Sequence, residues 1–182
     1  MLVAAAYSLT SMGNDGSALQ VSFTRVGDRF EQTVTRLDHL GNTIAVWRDV
    51  HDSGSDDWPA SPPIQELSLE EIGGKNVLLG VGRAGKSHWS VSIETTESGS
   101  APAIHFDFAC RCPAPPQWLG TTYNIDFSIG DDSSSDHSMN ATCNEDATLK
   151  QVASNRTRIE PLHHPTKWPG TVRWRYTIQY DL

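Results

Sequence analysis

The segment from Gly80 to Ser87, G-V-G-R-A-G-K-S, matches the pattern of a nucleotide phosphate-binding loop. In such a loop the backbone amides and the lysine contact the phosphates, and the helix that follows turns its positive N-terminus toward them. Residues 88–94 instead alternate polar and apolar side chains, which predicts a strand. Because residues 76–79 also have the pattern of a strand, we expect a β-hairpin here, with Lys86 in solvent and no ATP binding.

A second set of residues has the types that a metal site needs. His105 and Asp107 lie two residues apart, His163 and His164 follow, and Arg173 comes about ten residues later. The types and order resemble those of the non-haem iron oxygenases that use 2-oxoglutarate, and the resemblance covers these residues alone. It implies Fe(II) held by His105, Asp107 and His163, with open positions for oxygen and a co-substrate. The other interpretation is a polar strand face beside a pair of surface histidines.

Three of the six tryptophans lie close to prolines, in segments without a strand pattern: Trp58, Trp118 and Trp168. Loops lie at the surface, and proline stiffens them. Rigid aromatic rings in such loops suit stacking against a sugar ring or a peptide. The alternative is that the rings fold back and close the open ends of a sandwich core, because tryptophan is large and usually mostly buried.

Asp107 and Arg111 are further candidates, on the polar face of the longest alternating run. Arg173 and Arg175 occupy the polar face of the last run. If these runs are neighbours in a sheet, cross-strand ion pairs form, and each stabilises the sheet by roughly 0.2–1 kcal/mol. If the face lines the lumen of a barrel, Asp107 and Arg111 form a ligand-binding site.

Other clusters carry weaker signals. The aspartate-rich runs 49–57 and 131–136 could hold Ca²⁺, although their spacing is not that of an EF-hand, and we expect solvated loops. The three cysteines are an odd count without repeated spacing, which is not a disulfide framework. Cys110 and Cys112 point to the apolar side of one strand, so we expect buried thiols.

The elements that position these residues are predicted from runs that alternate apolar and polar side chains. Such alternation is typical of antiparallel strands with one face against a core. In one run, Ile44 and Val46 share a face, with Trp47 opposite. The apolar positions of two further runs are 19, 21 and 23, and 89, 91 and 93. In the three longest runs they are every second residue from 104 to 112, from 123 to 129 and from 172 to 180.

These runs predict one all-β domain over residues 1–182, with about ten strands. An antiparallel β-sandwich of jelly-roll type and a closed β-barrel both fit. At most two short helices are expected, in 61–73 and 144–153. The first begins with a serine cap and a proline and ends at a glycine, although residues 67–69 fit a strand equally well, and the second has an asparagine cap.

The charge and the N-terminus exclude several classes of function. The net charge is -8, with 14 basic against 22 acidic residues, which argues against nucleic acids and anionic membranes as partners. The N-terminal segment has no basic region and only a short apolar run, so we expect no signal peptide and a cytoplasmic location, with a secreted protein as the alternative.

Together these observations predict a soluble binding module without a catalytic step or a cofactor. Its ligand would be a carbohydrate, a peptide or another small molecule, or its partner a protein. The predicted ligand-binding residues are Trp58, Trp118, Trp168, Asp107 and Arg111. The iron oxygenase is the alternative.

Overall fold

The computed structural model describes residues 7–52, 55–96, 101–126 and 139–180. These residues form thirteen strands and no helix. The strands are β1 Tyr7–Met12, β2 Ala18–Val26, β3 Arg29–Leu37, β4 Thr43–Asp49, β5 Ile64–Ile72, β6 Lys75–Ala84, β7 Ser87–Thr95, β8 Ala103–Cys112, β9 Thr121–Asp126, β10 Met139–Cys143, β11 Ala147–Ala153, β12 Arg156–Pro161 and β13 Gly170–Tyr180.

The strands form two antiparallel sheets that pack face to face as a β-sandwich. The seven-stranded sheet has the order β1-β2-β3-β4-β9-β12-β11, and the six-stranded sheet has the order β10-β13-β8-β7-β6-β5. Neither sheet closes on itself within the described residues, so the sandwich is the correct one of the two predicted architectures. Positions 127 and 129 of the predicted fifth run lie outside the described residues.

The core lies between the two sheets, and aromatic rings fill its centre. Neighbouring rings stack nearly parallel, with Phe106 4.9 Å from Tyr176 and Phe108 5.5 Å from Trp174 between ring centroids. These four side chains come from β8 and β13, which pair along most of their length. The hydroxyls of Tyr123 and Tyr176 lie 2.7 Å apart and join the two sheets inside the core. Strict alternation along β8 and β13 therefore produces the inner wall on which the sandwich is built.

Two predicted features are corrected by the structure. Residues 61–73 and 144–153 are not helices, because each carries a strand: β5 pairs with β6, and β11 pairs with β12. The face assigned to β4 was also reversed, because Ala45 and Trp47 are in the core cluster, whereas Ile44 is half-buried and Val46, although buried, is not in that cluster. No helix among the described residues is long and apolar enough to cross a membrane.

The match to a phosphate-binding loop is a hairpin, as predicted. Ala84 pairs with Ser87, so that Gly85 and Lys86 form a two-residue turn between β6 and β7. Gly85 has a φ of 54°, the left-handed conformation that glycine provides at the first position of a tight hairpin turn. The loop is followed by β7, so no helix N-terminus faces its amides.

Several connections meet at one end of the sandwich, which we call the loop end. Asp49 at the end of β4 pairs with Tyr123, and Ile159 near the end of β12 pairs with Thr121 at the start of β9. In the other sheet, Cys112 at the end of β8 pairs with Gly170 at the start of β13. The β4–β5, β8–β9 and β12–β13 connections and the β6–β7 turn therefore share this end.

Candidate functional site

The three predicted tryptophans all lie at the loop end, one in each long connection. Trp58 and Trp168 are half-buried and pack against the core cluster. The Trp58 ring meets the buried Trp89 ring edge-on, with centroids 6.3 Å apart. A Cβ added to Gly85 would come 2.5 Å from Oδ1 of Asp57, so the loop of Trp58 lies close against the β6–β7 turn. These contacts make Trp58 a support of the hairpin, with part of its ring left in solvent.

Trp118 lies in a different environment, over the seven-stranded sheet. The guanidinium of Arg158 sits 5.5 Å from its ring centroid, in cation–π contact. Nε1 of Trp118, Nε of Arg158 and the hydroxyl of Thr122 are buried without hydrogen-bond partners among the described residues. Arg158 and Thr122 are direct cross-strand partners. A water molecule or a ligand oxygen would satisfy these donors.

Asp107 lies on the outer face of the six-stranded sheet, where acids and arginines form pairs. The Asp107 carboxylate accepts hydrogen bonds from the Arg173 guanidinium, with Nε 2.7 Å from Oδ1, and this pairing raises the pKa of Arg173. Asp146, in the connection before β11, accepts from Nε of Arg175 at 2.6 Å and from its backbone N–H at 3.1 Å. We call these four residues the paired band. Because β8 and β13 are neighbours, the predicted cross-strand ion pairing is present.

The predicted iron ligands do not come together. Nδ1 of His105 lies 2.8 Å from the hydroxyl of Thr177, and the Asp107 carboxylate is held by Arg173. His163 follows β12, which belongs to the other sheet. In the part of the chain that the structure describes, no three His, Cys, Asp or Glu side chains are placed to hold a metal ion. The residues therefore do not fit an iron centre, and the oxygenase stays a prediction from the resemblance alone.

The remaining sequence clusters have structural surroundings. Asp49 is buried, accepts a hydrogen bond from the backbone N–H of Gln32 at 2.9 Å, and lies 2.9 Å from Nε2 of His51. Burial away from water raises the pKa of Asp49. Cys110 and Cys112 are free and buried, with sulfurs 3.5 Å apart, and burial raises the pKa of both thiols. The acidic run 131–136 lies outside the described residues.

A hollow lies on the outer face of the six-stranded sheet, near the loop end. It has a volume of about 480 Å³, within the range of ligand-binding cavities. Its floor is the paired backbone of β5 to β8 and β13. The lining residues are Gln65, Glu66, Val81, Gly82, Arg83, His88, Trp89, Ser90, Ala109, Arg111 and Thr171. We call this hollow the face cavity.

One edge of the face cavity is a row of basic side chains. Arg83 of β6 pairs with His88 of β7, and His88 pairs with Arg111 of β8, so the three lie side by side on adjacent strands. Thr171 of β13 continues the row beyond Arg111. All four side chains are exposed. We call Arg83, His88 and Arg111 the basic row.

Of the residues that line the face cavity, only Arg111 was predicted from the sequence as a ligand-binding residue. Arg83 and His88 flank the turn of the phosphate-loop match, but each belongs to a different strand from Arg111. The available signal was their outward position in strands whose inward positions are apolar. An outward position shows which residues can share a site only after the order of the strands in the sheet is known.

Comparison with protein-family models, with curated proteins and with solved structures gives no significant match, so function is argued from the site alone.

Proposed function

We propose that this β-sandwich is a binding module that holds a carbohydrate in the face cavity. The observation that carries the proposal is the composition of the lining, which combines guanidinium, imidazole, amide, carboxylate and hydroxyl groups in about 480 Å³. Sugars present many hydroxyls that both donate and accept hydrogen bonds. A lining with both kinds of partner matches that chemistry, because each polar group removed from water needs a replacement partner.

The position of the cavity favours a carbohydrate over a peptide. An extended peptide binds to a sheet mainly at an open edge, where unpaired backbone groups extend the ladder. Of the strands under the face cavity, β6, β7, β8 and β13 are paired on both sides, and only β5 is an edge strand. Recognition here must therefore use side chains, as a hydroxyl-rich ring requires.

The scaffold under the cavity is rigid. His88, Ser90 and Arg111 stand on strands whose opposite faces are in the core, where Trp89 and Cys110 are buried. Side chains on such strands keep their spacing better than side chains on loops, which lowers the entropy lost on binding. The backbone positions that carry the lining side chains are thus set by the fold.

The experiment is a glycan-array screen followed by calorimetric titration of the best oligosaccharide. Ser90→Trp fills the cavity from its exposed floor, and we expect it to abolish binding while leaving the thermal melt unchanged. Ser8→Trp places the same ring on an exposed position of the seven-stranded sheet and is the matched control. Equal affinity of the Ser90→Trp variant and the wild type, or no glycan bound by the wild type, would overturn the proposal.

A further inference from the structure

The basic row lacks the partners that arginines have elsewhere on the same face. Within the described residues, the side chains of Arg83, His88 and Arg111 form no ion pair or hydrogen bond, and only the backbone N–H of Arg83 has a side-chain acceptor, Oε1 of Gln65 at 3.0 Å. Glu66, the carboxylate that lines the same cavity, belongs to β5 and pairs in register with Val81 rather than with a member of the row. One strand further along, Arg173 and Arg175 each hold an acid. The donors of the row are therefore available to a ligand.

The geometry of the row suits an oxyanion. Neighbouring strands lie about 4.8 Å apart, so the backbones of Arg83 and Arg111 are separated by roughly 10 Å, with His88 between them. Arginine side chains reach inward over such a gap and present planar pairs of N–H donors that match a carboxylate or a sulfate. The chain as a whole has a net charge of -8, so this row is a local exception in an acidic molecule.

We propose that the face cavity selects an acidic carbohydrate, and that its carboxylate or sulfate group binds between Arg83, His88 and Arg111. The proposal rests on the proposed function, because it specifies the ligand of the same site. The anion supplies the acceptors that the row lacks. Ser90 and Thr171, which also line the cavity, face the uncharged hydroxyls of the same sugar. The negative charge of Glu66 disfavours an anionic group on the β5 side. The ligand therefore binds with its anionic group toward the basic row and an uncharged part toward β5.

The first experiment tests the anion site without any sugar. Inorganic sulfate is titrated into ¹⁵N-labelled protein at constant ionic strength, and the side-chain Nε–H signals of the arginines are followed by NMR. We expect saturable shifts for Arg83 and Arg111 and none for Arg173, whose donors are held by Asp107. Equal shifts of all arginines, an adventitious ion only, or no saturable shift would overturn the assignment of the anion to the row.

The second experiment compares matched oligosaccharides that differ only in a carboxylate or a sulfate. We expect the acidic member to bind at least about tenfold more tightly, the effect of one charge-assisted hydrogen bond. Arg111→Gln and Arg83→Gln should each reduce that preference by a similar factor, and Arg111→Lys should retain part of it. Arg173→Gln, on the same face but outside the cavity, should leave it unchanged.

The outcomes separate the two proposals. Neutral and acidic sugars bound equally, with no effect of Arg111→Gln, would refute the acidic ligand and leave the carbohydrate site in place. Sulfate bound at the row with no sugar bound would refute the carbohydrate and leave the anion site. Tight binding of a poly-glutamate peptide instead of acidic sugars would refute both the carbohydrate and its acidic subclass.

Discussion

Two hollows on the outer face of the six-stranded sheet use the same residue types in opposite ways. The smaller hollow, of about 250 Å³, is lined by Asp107 and Arg175 of the paired band, and the arginines of that band each hold a carboxylate. In the larger face cavity, Arg83, His88 and Arg111 stand side by side without such partners. Both hollows are built on β7 and β8, so strand geometry does not account for the difference.

The difference indicates which charges stabilise the fold and which are free to recognise a ligand. A paired arginine has satisfied donors and contributes modestly to stability, up to about 1 kcal/mol where it is exposed. Two guanidiniums about 10 Å apart in water repel each other by only about 0.4 kcal/mol. The basic row therefore destabilises the unbound protein only slightly.

The largest effect is expected for Trp58→Ala. The Trp58 ring packs against the core and against Trp89, the residue next to His88. Full truncation of a buried tryptophan costs about 3–5 kcal/mol, so we expect about half of that, roughly 1.5–2.5 kcal/mol, for this half-buried ring. Thermal and denaturant melts measure the loss. Trp58→Phe keeps an edge contact with Trp89 and should lose less.

Binding measurements on Trp58→Ala also show whether recognition takes place on the sheet face. If Trp58→Ala melts like the wild type and yet no longer binds the oligosaccharide, the ring is a stacking platform, and recognition takes place at the loop end. Arginines without ion-pair partners on the sheet face would then not mark the place where the ligand binds. The same pair of measurements on Trp168→Ala and Trp118→Ala extends the test to all three connections.

Asp146→Ala should have the next largest effect. The side chain of Asp146 is only 15% exposed and accepts hydrogen bonds from both the backbone and the guanidinium of Arg175. Its removal leaves two donors short of an acceptor, which we expect to cost about 1–2 kcal/mol in the free energy of unfolding, because the Arg175 side chain is 36% exposed and water replaces part of the loss. Asp146→Asn keeps an acceptor for the backbone N–H and should lose less. A loss as small as that of an exposed ion pair would show that the band does not stabilise the fold.

Much of the fold was predictable from the sequence, because inward positions of strands are apolar whatever the order of the strands. β8 and β13 were identified from alternation alone. The failures are local. Residues 61–73 carry helix-cap residues, but Leu67 turns into the core when β5 pairs with β6. A helix over 144–153 would place Lys150 beside Asp146, whereas on β11 Lys150 forms an ion pair with Glu160 of β12. Long-range pairing outweighed local preference in both segments.

The candidate site was less predictable for a physical reason. Arg83, His88 and Arg111 are separated along the chain and become neighbours only through the register of three strands. Alternation shows that each side chain points outward, but it does not show which strands adjoin. Part of the paired band was predicted from the sequence. Asp107 and Arg173 lie on the polar faces of two long runs, and ion pairs were expected if these runs are neighbours in a sheet.

Asp107→Ala should have a smaller effect than Asp146→Ala. Both members of the Asp107–Arg173 pair are accessible, with side chains 32% and 53% exposed. Exposed pairs are worth about 0–1 kcal/mol even when the geometry is bidentate, and added salt weakens them. Denaturant melts at low and high salt measure this loss. The variant also frees Arg173, so its Nε–H signal should now shift with sulfate, as the signals of Arg83 and Arg111 are expected to do.

The smallest effect on stability is expected for the two variants of the basic row that reduce the preference for an acidic sugar. Arg111→Gln and Arg83→Gln remove a charge that contacts no acid among the described residues, so the free energy of unfolding should change by less than about 0.5 kcal/mol. The sign should be stabilising at low salt, because one repulsive pair is lost, and the gain should fade as salt is added. Denaturant melts of both variants beside the wild type, at two salt concentrations, give this difference. A loss of 1 kcal/mol or more would mean that the arginine is bonded within the fold, and the basic row would then resemble the paired band rather than contrast with it.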